Sequence, residues 1–190
     1  MKKIAVRVGE YIESIVEITW DGQGNSVMCD VRYIAANPPG VPTLSEQLDQ
    51  KFNITERNYI LTGGFFSMAL DPQGRIMDWS IYTNPNRWIR GERRFEEGIP
   101  ATVHIDAEFD ENRHGSIGEP TEFYEPVRGT FYLSWGEAST WYALAPALAL
   151  GVTGDNGLAQ IRLDGLHVQT VGQEPTGFWA MLRRRFGGHN

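Results

Sequence analysis

Alternation of apolar and polar residues with a period of two runs through much of the chain and predicts β-strands. Residues 11–20 and 26–34 alternate in this way on the two sides of the turn-forming segment DGQGN at 21–25. A second pair of alternating runs flanks the segment DPQG at 71–74. Because such short connections join neighbouring strands, both regions are predicted to be antiparallel hairpins.

Two interior segments depart from this alternation and predict helices. Residues 43–52 begin with a capping box, in which Thr43 is followed three positions later by Glu46. The uncharged run that includes residues 139–150 is shorter than the roughly 20 residues that a membrane span needs, so it predicts a buried helix. The pattern as a whole therefore predicts an α+β fold, mainly antiparallel sheet with two or three short helices packed on it.

Chain length limits the number of domains. With 190 residues, of which 41% are hydrophobic, the chain can build one proper core and is short for two. We expect one globular domain at 1–175 and a basic amphipathic tail or helix at 176–190. The tail would dock on its own sheet, on a partner or on an anionic membrane surface. Its interacting residues would be aromatic and basic: Phe178, Trp179, Arg183, Arg184 and Arg185.

The acidic residues are concentrated in the middle of the chain. Residues 92–125 contain ten acids and three arginines, which accounts for the whole net charge of −7. Nucleic-acid binding is therefore not expected, because neutralisation of phosphates supplies most of the affinity in such complexes. An acidic surface instead favours a basic protein partner, whose approach it accelerates.

The segment TVHIDAEFD at 102–110 has acids on one side of a predicted strand. Its apolar positions would face the core and its polar positions would face water or a partner. The polar positions are His104, Asp106, Glu108 and Asp110. With the neighbouring Glu111, the three carboxylates form the predicted partner-binding surface: Asp106, Glu108, Asp110 and Glu111.

The same segment raises a catalytic alternative. Residues on one side of a strand lie about 7 Å apart, so one metal ion could bind only two neighbours, such as His104 and Asp106. A metal-dependent hydrolase would need a third ligand from another strand, and the sequence does not identify that ligand. The spacing would also suit a pair of catalytic carboxyls, but no apolar surroundings that would raise one pKa are evident.

No other motif points to catalysis or to a cofactor. Neither a phosphate-binding loop nor a dinucleotide-binding glycine motif occurs, so no cofactor is expected. Cys29 falls on the apolar side of its strand and is interpreted as a core residue. Ser67 and Ser134 are interpreted as ordinary sheet serines because neither lies in a nucleophile elbow.

The amino-terminal segment affects the expected location. Its basic start resembles that of a signal peptide, but Arg7, Gly9 and Glu10 interrupt the apolar stretch that export requires. A cytoplasmic location is therefore expected. The prediction for the whole chain is a non-catalytic acidic binding protein, such as an inhibitor or immunity-type protein that covers a basic partner. The alternatives are the metal-dependent hydrolase and a structural subunit of a larger assembly. The loop at 87–95, rich in arginine and tryptophan, has no assigned role.

Overall fold

The computed structural model describes residues 4–34 and 58–168, and in these residues every regular element is a β-strand. The strands are β1 (Ala5–Gly9), β2 (Ser14–Asp21), β3 (Ser26–Tyr33), β4 (Tyr59–Gly63), β5 (Phe66–Leu70), β6 (Ile76–Tyr82), β7 (Ile89–Arg90), β8 (Ile99–Pro100), β9 (Thr102–Asp106), β10 (His114–Ser116), β11 (Thr121–Glu125), β12 (Thr130–Ser134), β13 (Thr140–Ala145), β14 (Leu148–Val152) and β15 (Leu158–Leu163). Within the described ranges, no helix has the length and apolar character that a membrane crossing requires.

Two large sheets and one small sheet are formed. The six-stranded sheet has the order β10-β4-β5-β6-β3-β2, and the seven-stranded sheet has the order β7-β11-β12-β15-β14-β13-β8. Strands β1 and β9 pair with each other in a two-stranded sheet. All pairings are antiparallel except three at sheet edges: β10 with β4, β7 with β11 and β8 with β13.

One hydrophobic core receives side chains from both large sheets. From the six-stranded sheet, Phe66 and Trp79 are buried in this core, and from the seven-stranded sheet Phe131 and Leu148 join them. The ring of Phe66 lies 5.3 Å from that of Trp135, in an edge-to-face contact between the two sheets. Burial of such large apolar side chains is the main favourable contribution to folding.

Both predicted hairpins are confirmed. Strands β2 and β3 pair antiparallel around residues 22–25, and β5 and β6 pair antiparallel around residues 71–75. In the second turn the buried Asp71 accepts hydrogen bonds from the backbone N–H groups of Gln73 and Arg75. Gly74 then adopts a φ of 83°, which a residue with a Cβ tolerates poorly.

The α+β prediction is wrong, because the described residues contain strands only. The helix predicted at 139–150 is instead the hairpin of β13 and β14, joined through Pro146 and Ala147. Proline has no backbone N–H, so inside a helix it removes a hydrogen bond. In a two-residue turn that N–H is not needed, and proline is tolerated there. Leu150 and Val152 enter the core while Ala149 faces the other side, as the period of two requires. The helix predicted at 43–52 lies outside the described residues.

The loop that the sequence left unassigned crosses the outer face of the seven-stranded sheet. Residues 91–98, here called the strap, connect β7 at one edge of this sheet with β8 at the opposite edge. The Arg93 guanidinium lies 4.3 Å from the ring centroid of Phe123, and its Nη1 donates to Gln160. A Cβ on Gly98 would lie 2.8 Å from the backbone nitrogen of Ala143, so the strap approaches the sheet very closely there.

Arg162 fastens the middle of the strap to the sheet. Its side chain is only 5% exposed, and its guanidinium lies 4.2 Å from the Phe95 ring of the strap. One guanidinium nitrogen donates to the backbone carbonyl of Glu96 at 2.6 Å, and another donates to Asp164 at 3.1 Å. The buried cation thus has hydrogen-bond partners in both the strap and the sheet, as buried charges require.

We predict that Arg162→Met destabilises the protein by about 2–4 kcal/mol, because the Asp164 carboxylate and the Glu96 carbonyl lose their shared donor. The matched control is Arg128→Met, since Arg128 also lies over Phe95, at 4.8 Å, but is exposed. That variant is expected to change stability by less than about 0.5 kcal/mol. Urea unfolding measures both, and equal losses would contradict the role assigned to Arg162.

Candidate functional site

The predicted acidic strand ends earlier than expected. Strand β9 stops at Asp106, and residues 107–110 continue without regular structure into a turn at 111–113. Val103 and Ile105 are buried as predicted, and Ala107 and Phe109 pack against the core. The four predicted partner-binding residues are all exposed, but only Asp106 lies within the strand.

Among these four acids, Asp106 and Asp110 make contacts within the chain that define local structure. Asp106 lies 3.5 Å from Arg7 on the paired strand β1, and both side chains are more than 60% exposed. Asp110 accepts hydrogen bonds from the backbone N–H groups of Asn112 and His114, and so it holds the turn that leads into β10. These contacts give Asp106 and Asp110 local structural roles, whatever else they bind.

His104 and Asp106, the candidate metal ligands, lie two positions apart on β9. The His104 ring is half-buried, and its Nδ1 is 2.9 Å from the Gln73 carbonyl oxygen, while Asp106 pairs with Arg7. Across the two described ranges, no three histidine, cysteine or acidic side chains are grouped so that they could hold a metal ion.

A second group of carboxylates is assembled on the outer face of the six-stranded sheet. Glu17, Asp30 and Asp78 lie opposite one another on the adjacent strands β2, β3 and β6, and we call these three residues the acidic row. Neighbouring strands are about 4.8 Å apart, so the row places three carboxylates within roughly 10 Å. All three side chains are exposed.

The charges of the acidic row are unequally balanced. Glu17 pairs with Arg32 at 2.8 Å, with both side chains well exposed. Asp30 and Asp78 form no ion pair with a basic side chain in the part of the chain that the structure describes. Partial burial, and next the Asp30 charge, raise the pKa of Asp78. Like charges directly opposite each other destabilise a sheet, so this pair has a cost to folding.

The acidic row lies on the β2 side of the six-stranded sheet, whereas residues 107–113 lead from β9 into β10 at the opposite edge. Strand β10, which follows the turn held by Asp110, forms one edge beside β4, whereas β2 forms the other edge. The cross-strand row through the centre of the face runs His114, Ile60, Ala69, Asp78, Asp30 and Glu17. The three carboxylates of this cross-strand row therefore lie together on the β2 side, and Ile60 and Ala69 separate them from His114 on β10.

The candidate nucleophiles lie in ordinary structural settings. Burial, followed by the charges of Asp30 and Asp78, raises the pKa of the Cys29 thiol to about 12, so at neutral pH it is a protonated core residue. The Ser134 hydroxyl donates to the Gly136 carbonyl oxygen at 3.1 Å. Ser67 lies opposite Ser80 between β5 and β6.

Part of the acidic row could have been found in the sequence. The turn at 22–25 fixes the register of β2 and β3, so that Glu17 must lie opposite Asp30. The outward position of Asp78 follows from the alternation along β6. Its position beside Asp30 depends on the pairing of β3 with β6, which are far apart in the chain. The tail residues Phe178, Trp179, Arg183, Arg184 and Arg185 lie outside the described residues.

The chain matches no protein-family model, and no curated protein is significantly similar to it in sequence. The function is therefore argued from the surface itself.

We predict that Asp30→Asn lowers the pKa of Asp78, because it removes the neighbouring charge while partial burial, the larger cause of the elevation, remains. A carboxyl whose folded pKa is raised reduces stability as the pH rises from its unfolded pKa through its folded pKa. This loss should shrink in the variant. A carbon-detected NMR titration of the Asp78 carboxyl measures the shift. Glu17→Gln is the control and should leave it unchanged, while an unchanged pKa in Asp30→Asn would refute the coupling.

Proposed function

We propose that this protein is a non-catalytic acidic binding protein that covers a basic protein partner, as inhibitors and immunity-type proteins do. The observation that carries the proposal is the acidic row, in which Asp30 and Asp78 lie directly opposite each other on a solvent-facing sheet. A positively charged surface placed over the row would relieve their repulsion.

The cost of the row supports binding over simple solvation. An exposed acid on a sheet edge is common and needs no explanation, but adjacent like charges oppose folding. Arg32 offsets the charge of Glu17 alone. A basic partner would supply charge-assisted hydrogen bonds to these carboxylates, and such bonds strengthen when water is excluded.

In this proposal the predicted residues at 106–111 contribute mainly to the approach of the partner. Asp106, Glu108, Asp110 and Glu111 are exposed, and they add to the negative potential of the protein surface. Exposed charges of this kind accelerate association more than they strengthen the final complex. The acidic row would make the closer contacts.

The remaining predictions about partners stay proposals. The net charge of −7 disfavours nucleic acid, as argued above. Contact of the tail with a membrane surface and the cytoplasmic location remain predictions. A metal-dependent hydrolase using His104 and Asp106 and a structural subunit of a larger assembly remain alternatives, and no specific observation in the described residues favours either.

The test is a charge reversal of the row. Immobilised protein is used to capture partners from extract of its host at low ionic strength, and the basic protein recovered is then purified. We expect Asp30→Lys combined with Asp78→Lys to slow its association at least about tenfold in surface plasmon resonance, and added salt to slow the wild-type reaction.

The control is Glu97→Lys combined with Glu137→Lys, which changes the net charge equally at exposed positions of the strap and of the β12–β13 connection. It should slow association far less than reversal of the acidic row. Recovery of no basic partner, or equal effects of the two double variants, would overturn the proposal.

A further inference from the structure

A groove opens at the β2 side of the six-stranded sheet. It has a volume of about 690 Å³, within the range of small-ligand sites. Its walls come from the end of β2 with the following turn, and from the segment after β15. The lining residues are Ile18, Trp20, Asp21, Gly22, Gln23, Gly165, Leu166 and His167.

Trp20 and Asp21, which are consecutive residues at the end of β2, both line the groove. Trp20 is held in place by an edge-to-face contact with Trp88, whose ring centroid is 5.6 Å away. Backbone hydrogen bonds from Gly24 and Gln23 lower the pKa of Asp21, so this carboxylate is charged at neutral pH. A carboxylate has about four acceptor positions, so the two turn N–H groups leave room for another donor.

Elsewhere in the chain, an aromatic ring and a carboxylate together bind an arginine side chain. The Arg162 guanidinium lies 5.1 Å from the Trp141 ring centroid while it donates to Asp164. The Arg75 guanidinium lies 4.8 Å from the Tyr33 ring centroid while it donates to Asp71 at 2.6 Å. In both cases a planar cation stacks on a ring and hydrogen-bonds a carboxylate at its edge.

The lining of the groove contains the same two residue types, a tryptophan and an aspartate. Among residues 4–34 and 58–168, no arginine stacks on Trp20 or pairs with Asp21. Ile18 and Leu166 supply apolar surface against which the alkyl part of a long cationic side chain could pack. Arginine suits such a site better than lysine, because its guanidinium is planar, weakly hydrated and able to form two parallel hydrogen bonds.

We propose that the Trp20 groove binds a guanidinium group, and that an arginine of the basic partner supplies it. The identity of that partner rests on the proposed function, but the affinity of the groove for guanidinium does not. Asp21 lies in the same cross-strand row as Ser26 and the 65%-exposed Tyr82. The groove therefore adjoins the outer face that carries the acidic row, and one partner surface could contact both.

The test uses N-acetyl-arginine amide as the probe, added to the full-length protein labelled with nitrogen-15. We expect saturable shifts of the Trp20 indole N–H and of the backbone amides of Gln23 and His167. N-acetyl-citrulline amide, which has the same shape without the charge, should give no saturable shifts. Asp21→Asn should weaken binding of the arginine probe about fivefold, the upper range for an exposed ion pair, while the side-chain oxygen keeps the turn intact.

Glu137→Gln serves as the control, because it removes an exposed carboxylate distant in the fold from the groove lining. It should leave the affinity unchanged. Equal binding of the citrulline probe, an unchanged affinity in Asp21→Asn, or shifts confined to other residues would overturn the groove proposal. The charge-reversal experiment on Asp30 and Asp78 does not depend on this result, so the two proposals can fail separately.

Discussion

The shared core between the two large sheets determines what the surface of this protein can present. Cys29 and Trp79 lie opposite each other on β3 and β6, and both side chains are buried in that core. Because side chains alternate along a strand, the next residues, Asp30 and Asp78, must face outward and lie opposite each other. The repulsion between the two acids is thus imposed by the same register that packs the core. Relieving it by a register shift would expose the tryptophan.

The seven-stranded sheet meets a different constraint, since both of its faces are covered. One face lies on the core, and the strap covers part of the other, where Phe123, Tyr132 and Trp141 form a second apolar cluster. Polar groups beneath the strap form hydrogen bonds: Arg162 and Thr130 both bond to Asp164, and Arg162 also donates to the Glu96 carbonyl of the strap. An extended segment can cover such a surface because arginine and aromatic side chains supply much contact area from few residues.

The sequence predicted the elements that depend on local chemistry. Both hairpins, the inward position of Cys29 and the exposure of Asp106 follow from alternation and turn residues. The error at 139–150 has a physical cause, because strands buried on both faces lose their polar positions and resemble a buried helix. Pro146 was the signal that could have corrected it. The position of Asp78 beside Asp30 and the Trp20 groove could not be predicted, because β3 meets β6, and β2 meets the segment after β15, only through contacts distant in the chain.

The strap also limits how this architecture can vary. It ties both edges of one sheet with a single short connection, and crossing seven strands takes roughly 29 Å, close to the reach of a fully extended segment of its length. A related protein with an additional strand in this sheet would also need a longer strap. The two-residue strands that flank the strap, β7 and β8, form both borders of the sheet, and such short edge strands disfavour pairing with foreign strands. Insertions should therefore accumulate in turns that the strap does not cross.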